Sequence, residues 1–123
     1  MRCLAFAGAL IVGVFLPATG WGAEGDVDAG RRFATTHCAR CHVVGDHNMF
    51  GGIGSTPSFQ LLARMADYFD RFSTFYARRP HPVFVRVPDV PKWSDAPVTI
   101  AEVEITLQDI DNIIAFVETL NSE

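Results

Sequence analysis

The sequence predicts a small all-α domain, for three reasons. The chain has 123 residues, which is enough for one small domain. Apolar residues near the C-terminus recur at helical spacing and share one helix face: Ile110, Ile113, Phe116, Val117 and Leu120. A second stripe with helical spacing is aromatic: Tyr68, Phe69, Phe72, Phe75 and Tyr76. We therefore expect the apolar faces of helices to form most of the core.

The N-terminal residues have the pattern of a secretory signal peptide. Arg2 precedes an uncharged run of 13 residues from Leu4 to Leu16, and Pro17 and small residues follow. A bilayer-spanning helix needs about 20 apolar residues, so a membrane anchor is the weaker interpretation. We expect the protein to be exported, to the periplasm or beyond.

Small residues before the candidate cleavage bonds favour cutting after Gly22 or after Gly20. We take residues 1–22 as the signal peptide and residues 23–123 as one mature domain. No membrane span is expected in this mature part of the chain.

Composition excludes several classes of protein. Ten Lys and Arg stand against 14 Asp and Glu, a formal charge of −4, which argues against a nucleic-acid binder that neutralises phosphates. Three cysteines are too few for a disulfide-dense scaffold, and Cys3 leaves with the signal peptide. Cys38 and Cys41 therefore remain to be explained.

Local signals place the first elements of the mature chain. Asp26 or Asp28 can cap a helix that continues to about Thr36. Residues 45–58 are rich in glycine and polar side chains and predict a loop. A short helix is expected from Phe59 onward, before the aromatic stripe.

The second half of the chain predicts a β-hairpin followed by the last helix. β-branched residues in 83–87 and 98–105 favour two short strands, joined through the proline-containing segment 88–97. Thr106, with Asp109 three residues later, forms an imperfect capping box at the start of the last helix.

The strongest motif is Cys38-Ala39-Arg40-Cys41-His42, which has the spacing CxxCH. Thiols at positions i and i+3 project from one side of a helical turn, where they can form thioethers with the two vinyl groups of a haem. The imidazole of His42 is then placed to coordinate the haem iron. The motif predicts one covalently bound haem c.

Two other interpretations of the two cysteines are weaker. A thioredoxin-like CxxC motif normally lies in a βαβ setting, for which this sequence has no pattern. A zinc site would need two further soft ligands, and no third cysteine follows the signal peptide.

Around this motif, the chain resembles the class I c-type cytochromes over most of the mature part. Residues 28–33 are similar to the first helix of that family, which implies that Gly30 and Phe33 pack against Phe116 on the last helix. Residues 54–59 are similar to the family's proline loop, which implies that the Pro57 carbonyl accepts a hydrogen bond from His42. The resemblance implies a helical domain wrapped around the haem.

One departure from the family concerns the second axial position of the iron. Class I electron carriers usually supply a methionine before the last helix, and residues 80–107 contain none. The remaining candidates for this position are Met49, Met65 and His81, of which His81 lies between two prolines. An open position is the other alternative.

The sequence therefore predicts a monohaem carrier of single electrons between protein partners, not an enzyme. Its acidic balance favours a partner with a basic patch. Two alternatives remain open: a five-coordinate haem that binds a diatomic gas or peroxide, and a fixed cytochrome subunit of a larger dehydrogenase or oxidase complex.

Overall fold

The computed structural model describes residues 25–92, 94–97 and 99–121. This part of the chain is mostly helical, with a small two-stranded sheet. The predicted signal peptide and its cleavage bonds lie outside the described residues, as does Val98 of the predicted second strand.

The helices and strands follow one another along the chain with short connections. The α-helices are α1 (Val27–Phe33), α2 (Phe59–Ala63), α3 (Tyr68–Ser73) and α4 (Leu107–Asn121). The strands are β1 (Val85–Arg86) and β2 (Val103–Glu104). Single 3₁₀ turns cover Phe75–Ala77 and His81–Val83.

Helix α1 begins as the sequence predicts. The Asp26 carboxylate accepts a hydrogen bond from the backbone N–H of Ala29 at 2.7 Å, so Asp26 is the N-cap rather than Asp28. After Phe33 the helix continues as a π-helical turn, Ala34–Cys38. This wider turn carries the chain directly into the CxxCH segment.

The core lies where α1 crosses α4. All five residues of the predicted apolar face of α4 are at most 5% exposed. The predicted capping box is also present, because Thr106 and Asp109 each accept a hydrogen bond from the other's backbone N–H. Both predictions for the last helix are confirmed.

The aromatic contact expected of Phe33 is different in the structure. Among the described residues, Phe33 pairs with the His37 ring at 4.6 Å rather than with Phe116. The Phe116 ring, 1% exposed, is instead covered by the Arg31 guanidinium at 4.9 Å. No ring pair joins Phe33 and Phe116 among the described residues, but Phe33 packs against the core that contains Phe116, and α1 packs against α4.

The middle of the chain largely follows the prediction. Residues 45–58 form turns and irregular backbone, and α2 follows at Phe59. The aromatic stripe spans α3 and the next 3₁₀ turn, with Phe72 buried. Phe69 is an exception because 58% of it is exposed.

The predicted β-hairpin is wrong. The two strands pair in parallel, with Val85 opposite Val103 and Arg86 opposite Glu104. Residues 87–102 connect them, which is long enough to return the chain to the same end of the sheet, as a parallel pair requires. Alternating β-branched residues predicted the strands, but such alternation does not distinguish parallel from antiparallel pairing.

In the part of the chain that the structure describes, no helix combines the length and the apolar character needed to cross a bilayer.

Candidate haem-binding site

The two cysteines and His42 lie on one tight turn. The backbone N–H groups of Cys41 and His42 both donate to the Cys38 carbonyl, at 3.0 and 2.9 Å. Neither Cys38 nor Cys41 is in a disulfide, and both are half-buried. Burial, with a smaller contribution from Cys41, raises the pKa of the Cys38 thiol to about 12.

The imidazole of His42 has a fixed tautomer. Its Nδ1 donates a hydrogen bond to the Pro57 carbonyl at 2.7 Å. A carbonyl oxygen only accepts, so Nδ1 carries the proton and Nε2 keeps the lone pair that can coordinate a metal. The contact predicted between the proline loop and His42 is confirmed.

Two residues outside the motif lie against this turn, Asn48 and Gly52. The Asn48 side chain donates to the carbonyls of Ala39 and His42, both at 2.9 Å, and accepts from the Val44 N–H at 2.8 Å. Gly52 has φ of +78°, which a residue with a side chain rarely adopts, and an added Cβ would lie 3.0 Å from the Cys41 carbonyl oxygen.

A cavity of about 820 Å³ adjoins the turn. Cys38, Cys41 and His42 line it, together with aromatic and aliphatic side chains from α2, α3, both strands and α4. Its volume falls in the range of cofactor pockets, roughly 300–1,000 Å³. The site is therefore both large enough and apolar enough for a porphyrin.

His81 also lines the cavity. Its ring centroid lies 6.1 Å from that of His42, and the two ring planes differ by 6°. Burial is the largest influence on the pKa of His81 and lowers it. Hydrogen bonds to the backbone of Arg78 and Phe75 act to raise this pKa, and the nearby His42 acts to lower it, so that the net shift is downward. The neutral imidazole, the form that binds metals, is therefore favoured.

The other candidates for the second axial position lie elsewhere. Met49 is 61% exposed, in the loop that follows the motif. Met65 lies just after α2 and is half-buried. Neither methionine lines the cavity, whereas His81 does.

Three arginines line the cavity: Arg71, Arg78 and Arg79. Arg71 pairs with Asp67 at 2.8 Å, and Arg78 pairs with Asp70. The described part of the chain provides no ion-pair partner for Arg79. Arg79 is therefore suited to pair with a carboxylate such as a haem propionate.

The donor set fits a haem better than a bare metal ion. Among the described residues, no group of three or more His, Cys, Asp and Glu side chains is arranged to hold a metal ion. A haem iron already has four porphyrin nitrogens, so one or two imidazoles complete its coordination. Cys38, Cys41 and His42 are the residues that would hold it.

Sequence reasoning identified the attachment motif and the Pro57 contact but not the supporting residues. Asn48 stood in a polar loop, with no local signal for its two hydrogen bonds to the motif or for the third to Val44. The placement of the three arginines depends on the way α3 lies against the cavity, which sequence spacing does not show.

Comparisons of this chain with models of protein families, with curated proteins and with solved structures found no match.

Proposed function

We propose that this protein is an exported monohaem c-type cytochrome that carries single electrons between protein partners. One observation carries the proposal: the cysteines of a CxxCH turn and a tautomerically fixed histidine line the same apolar cavity of about 820 Å³. The resemblance to class I cytochromes points in the same direction.

Each residue of the site has a role in this proposal. The Cys38 and Cys41 thiols would add to the two vinyl groups of the haem to give thioethers, and His42 Nε2 would coordinate the iron. The Pro57 carbonyl keeps the proton on His42 Nδ1 and orients the ring. When bound, the haem iron supplies a one-electron ferrous–ferric couple.

The apolar walls favour this use of the site. Phe59 meets the His42 ring edge-on at 5.5 Å, and Phe72 packs on Phe59 at 5.1 Å. Both phenylalanine rings are buried and make the wall of the cavity beside His42 apolar. A dry surrounding disfavours the more positive oxidised iron and so raises the reduction potential.

Covalent haem attachment is the decisive test. The full chain, signal peptide included, is expressed in bacteria that carry a c-type maturation system. The purified protein should keep its haem on a denaturing gel, and its pyridine haemochrome spectrum should be that of two thioether bonds. Redox titration should then follow a single one-electron wave.

Matched variants sharpen this test. The double variant C38S/C41S should lose the covalently held haem, whereas the exposed His47→Ala should keep it. If the wild-type protein matures without covalent haem while a control cytochrome matures in the same cells, the proposal is wrong. N-terminal sequencing of the exported product also tests cleavage after Gly22 or Gly20.

A further inference from the structure

The His81 ring lies close to the His42 ring and nearly parallel to it. Metal–imidazole bonds are about 2.0 Å long, and a ring centroid lies about 1.1 Å from each nitrogen, so two imidazoles on opposite sides of one metal have centroids about 6.2 Å apart. The His42 and His81 centroids are 6.1 Å apart, and the ring planes are within 6° of parallel.

The two imidazoles also have the same hydrogen-bonding pattern. His81 Nδ1 donates to the Arg78 carbonyl at 3.0 Å, just as His42 Nδ1 donates to the Pro57 carbonyl at 2.7 Å. Both rings therefore have Nε2 as the nitrogen with a lone pair. A backbone carbonyl on the other nitrogen is the usual partner of a metal-binding histidine.

The His81 ring is held by its surroundings. Phe75 meets it edge-on at 5.2 Å, and Phe84 packs against it at 5.8 Å. The residue begins a 3₁₀ turn between Pro80 and Pro82, whose rings restrict the backbone. A ligand restricted in this way loses little conformational entropy when it binds.

We propose that His81 Nε2 is the second axial ligand of the haem iron, so that two imidazoles coordinate it and no position is open to small ligands. This inference rests on the proposed function, because it concerns the same haem. It favours the electron carrier over a gas- or peroxide-binding protein. Two imidazoles also give a lower reduction potential than an imidazole with a thioether.

Spectroscopy of the haem-loaded protein tests this assignment. Wild-type ferric protein should be low-spin, with the EPR signature of bis-imidazole ligation and without a thioether-to-iron charge-transfer band. In His81→Ala the low-spin signal should be lost, and ferrous protein should bind carbon monoxide at least about 100-fold faster than the wild type. The control His47→Ala should match the wild type in both respects.

Two additions keep the result unambiguous. Added imidazole should restore the low-spin spectrum of His81→Ala, which shows that the variant is folded and has lost only a ligand. His81→Met should remain six-coordinate with a higher reduction potential than the wild type.

Failure of this inference can be distinguished from failure of the proposed function. If the haem is covalently held but His81→Ala keeps an unchanged low-spin spectrum, or if the wild type binds carbon monoxide at once, His81 is not the ligand. If no haem is covalently held in the wild type, the proposed function itself is wrong.

Discussion

At the scale of a single residue, Asn48 stabilises the CxxCH turn. Its amide makes three hydrogen bonds to backbone groups. Two are to Ala39 and His42 within the motif, and one is to Val44, which follows it. The side chain is half-buried, so water replaces these bonds only in part when the amide is removed. Asn48 therefore fixes the direction in which the chain leaves His42.

We expect Asn48→Ala to lower the free energy of unfolding by about 2 kcal/mol, because it leaves one N–H and two carbonyls without their partner. Guanidinium unfolding of the haem-loaded protein, followed by far-UV circular dichroism, measures this loss. Asp46→Ala in the same loop is the control, since Asp46 is exposed. Equal stabilities of the two variants would contradict the role given to Asn48.

At the scale of elements, the crossing of α1 and α4 depends on glycine. A Cβ added to Gly30 would overlap the Asn112 carbonyl oxygen, and one added to Gly25 would overlap that of Asp111. Neither Cβ fits without movement of the backbone. The Asn112 side chain adds to this contact by accepting a hydrogen bond from the Asp26 N–H at 2.8 Å.

Gly30→Ala should separate the two helices and destabilise the protein by at least about 2 kcal/mol, despite the better helix propensity of alanine. Gly54→Ala is a matched control, because an added Cβ there meets no atom within 4 Å. Thermal unfolding of both variants provides the comparison. A Gly30→Ala protein as stable as the wild type would contradict this close contact between α1 and α4.

At the scale of the whole molecule, net charge should influence how a redox partner of the proposed carrier approaches. The chain has a net charge of −4, although three arginines border the cavity. Two of these arginines are paired with Asp67 and Asp70, which leaves Arg79 as the local positive charge. The net acidic charge should therefore dominate long-range steering.

Electron exchange with a basic redox protein should slow at least about 10-fold as ionic strength rises from roughly 0.01 M to 0.5 M, because salt screens the attraction. Stopped-flow mixing with a basic c-type cytochrome measures this rate. An uncharged small-molecule reductant is the control and should show little dependence on salt. A salt-independent rate with the basic protein would contradict steering by net charge.

Much of the fold and of the candidate site could be predicted from the sequence, because the interactions that determine them are local. Haem attachment needs two thiols and an imidazole within five residues, and helix caps and apolar periodicity act over one or two turns. The motif, the last helix and its capping box could therefore be predicted from adjacent residues. The haem itself remains a prediction from this local chemistry.

Only the tertiary structure decided what depends on residues far apart in the chain. It brought the His81 ring to 6.1 Å from the His42 ring, although 38 residues separate the two in sequence. It also paired the strands in parallel and brought Gly30 against the α4 backbone. Local patterns do not contain this information, because such pairings depend on how whole elements pack.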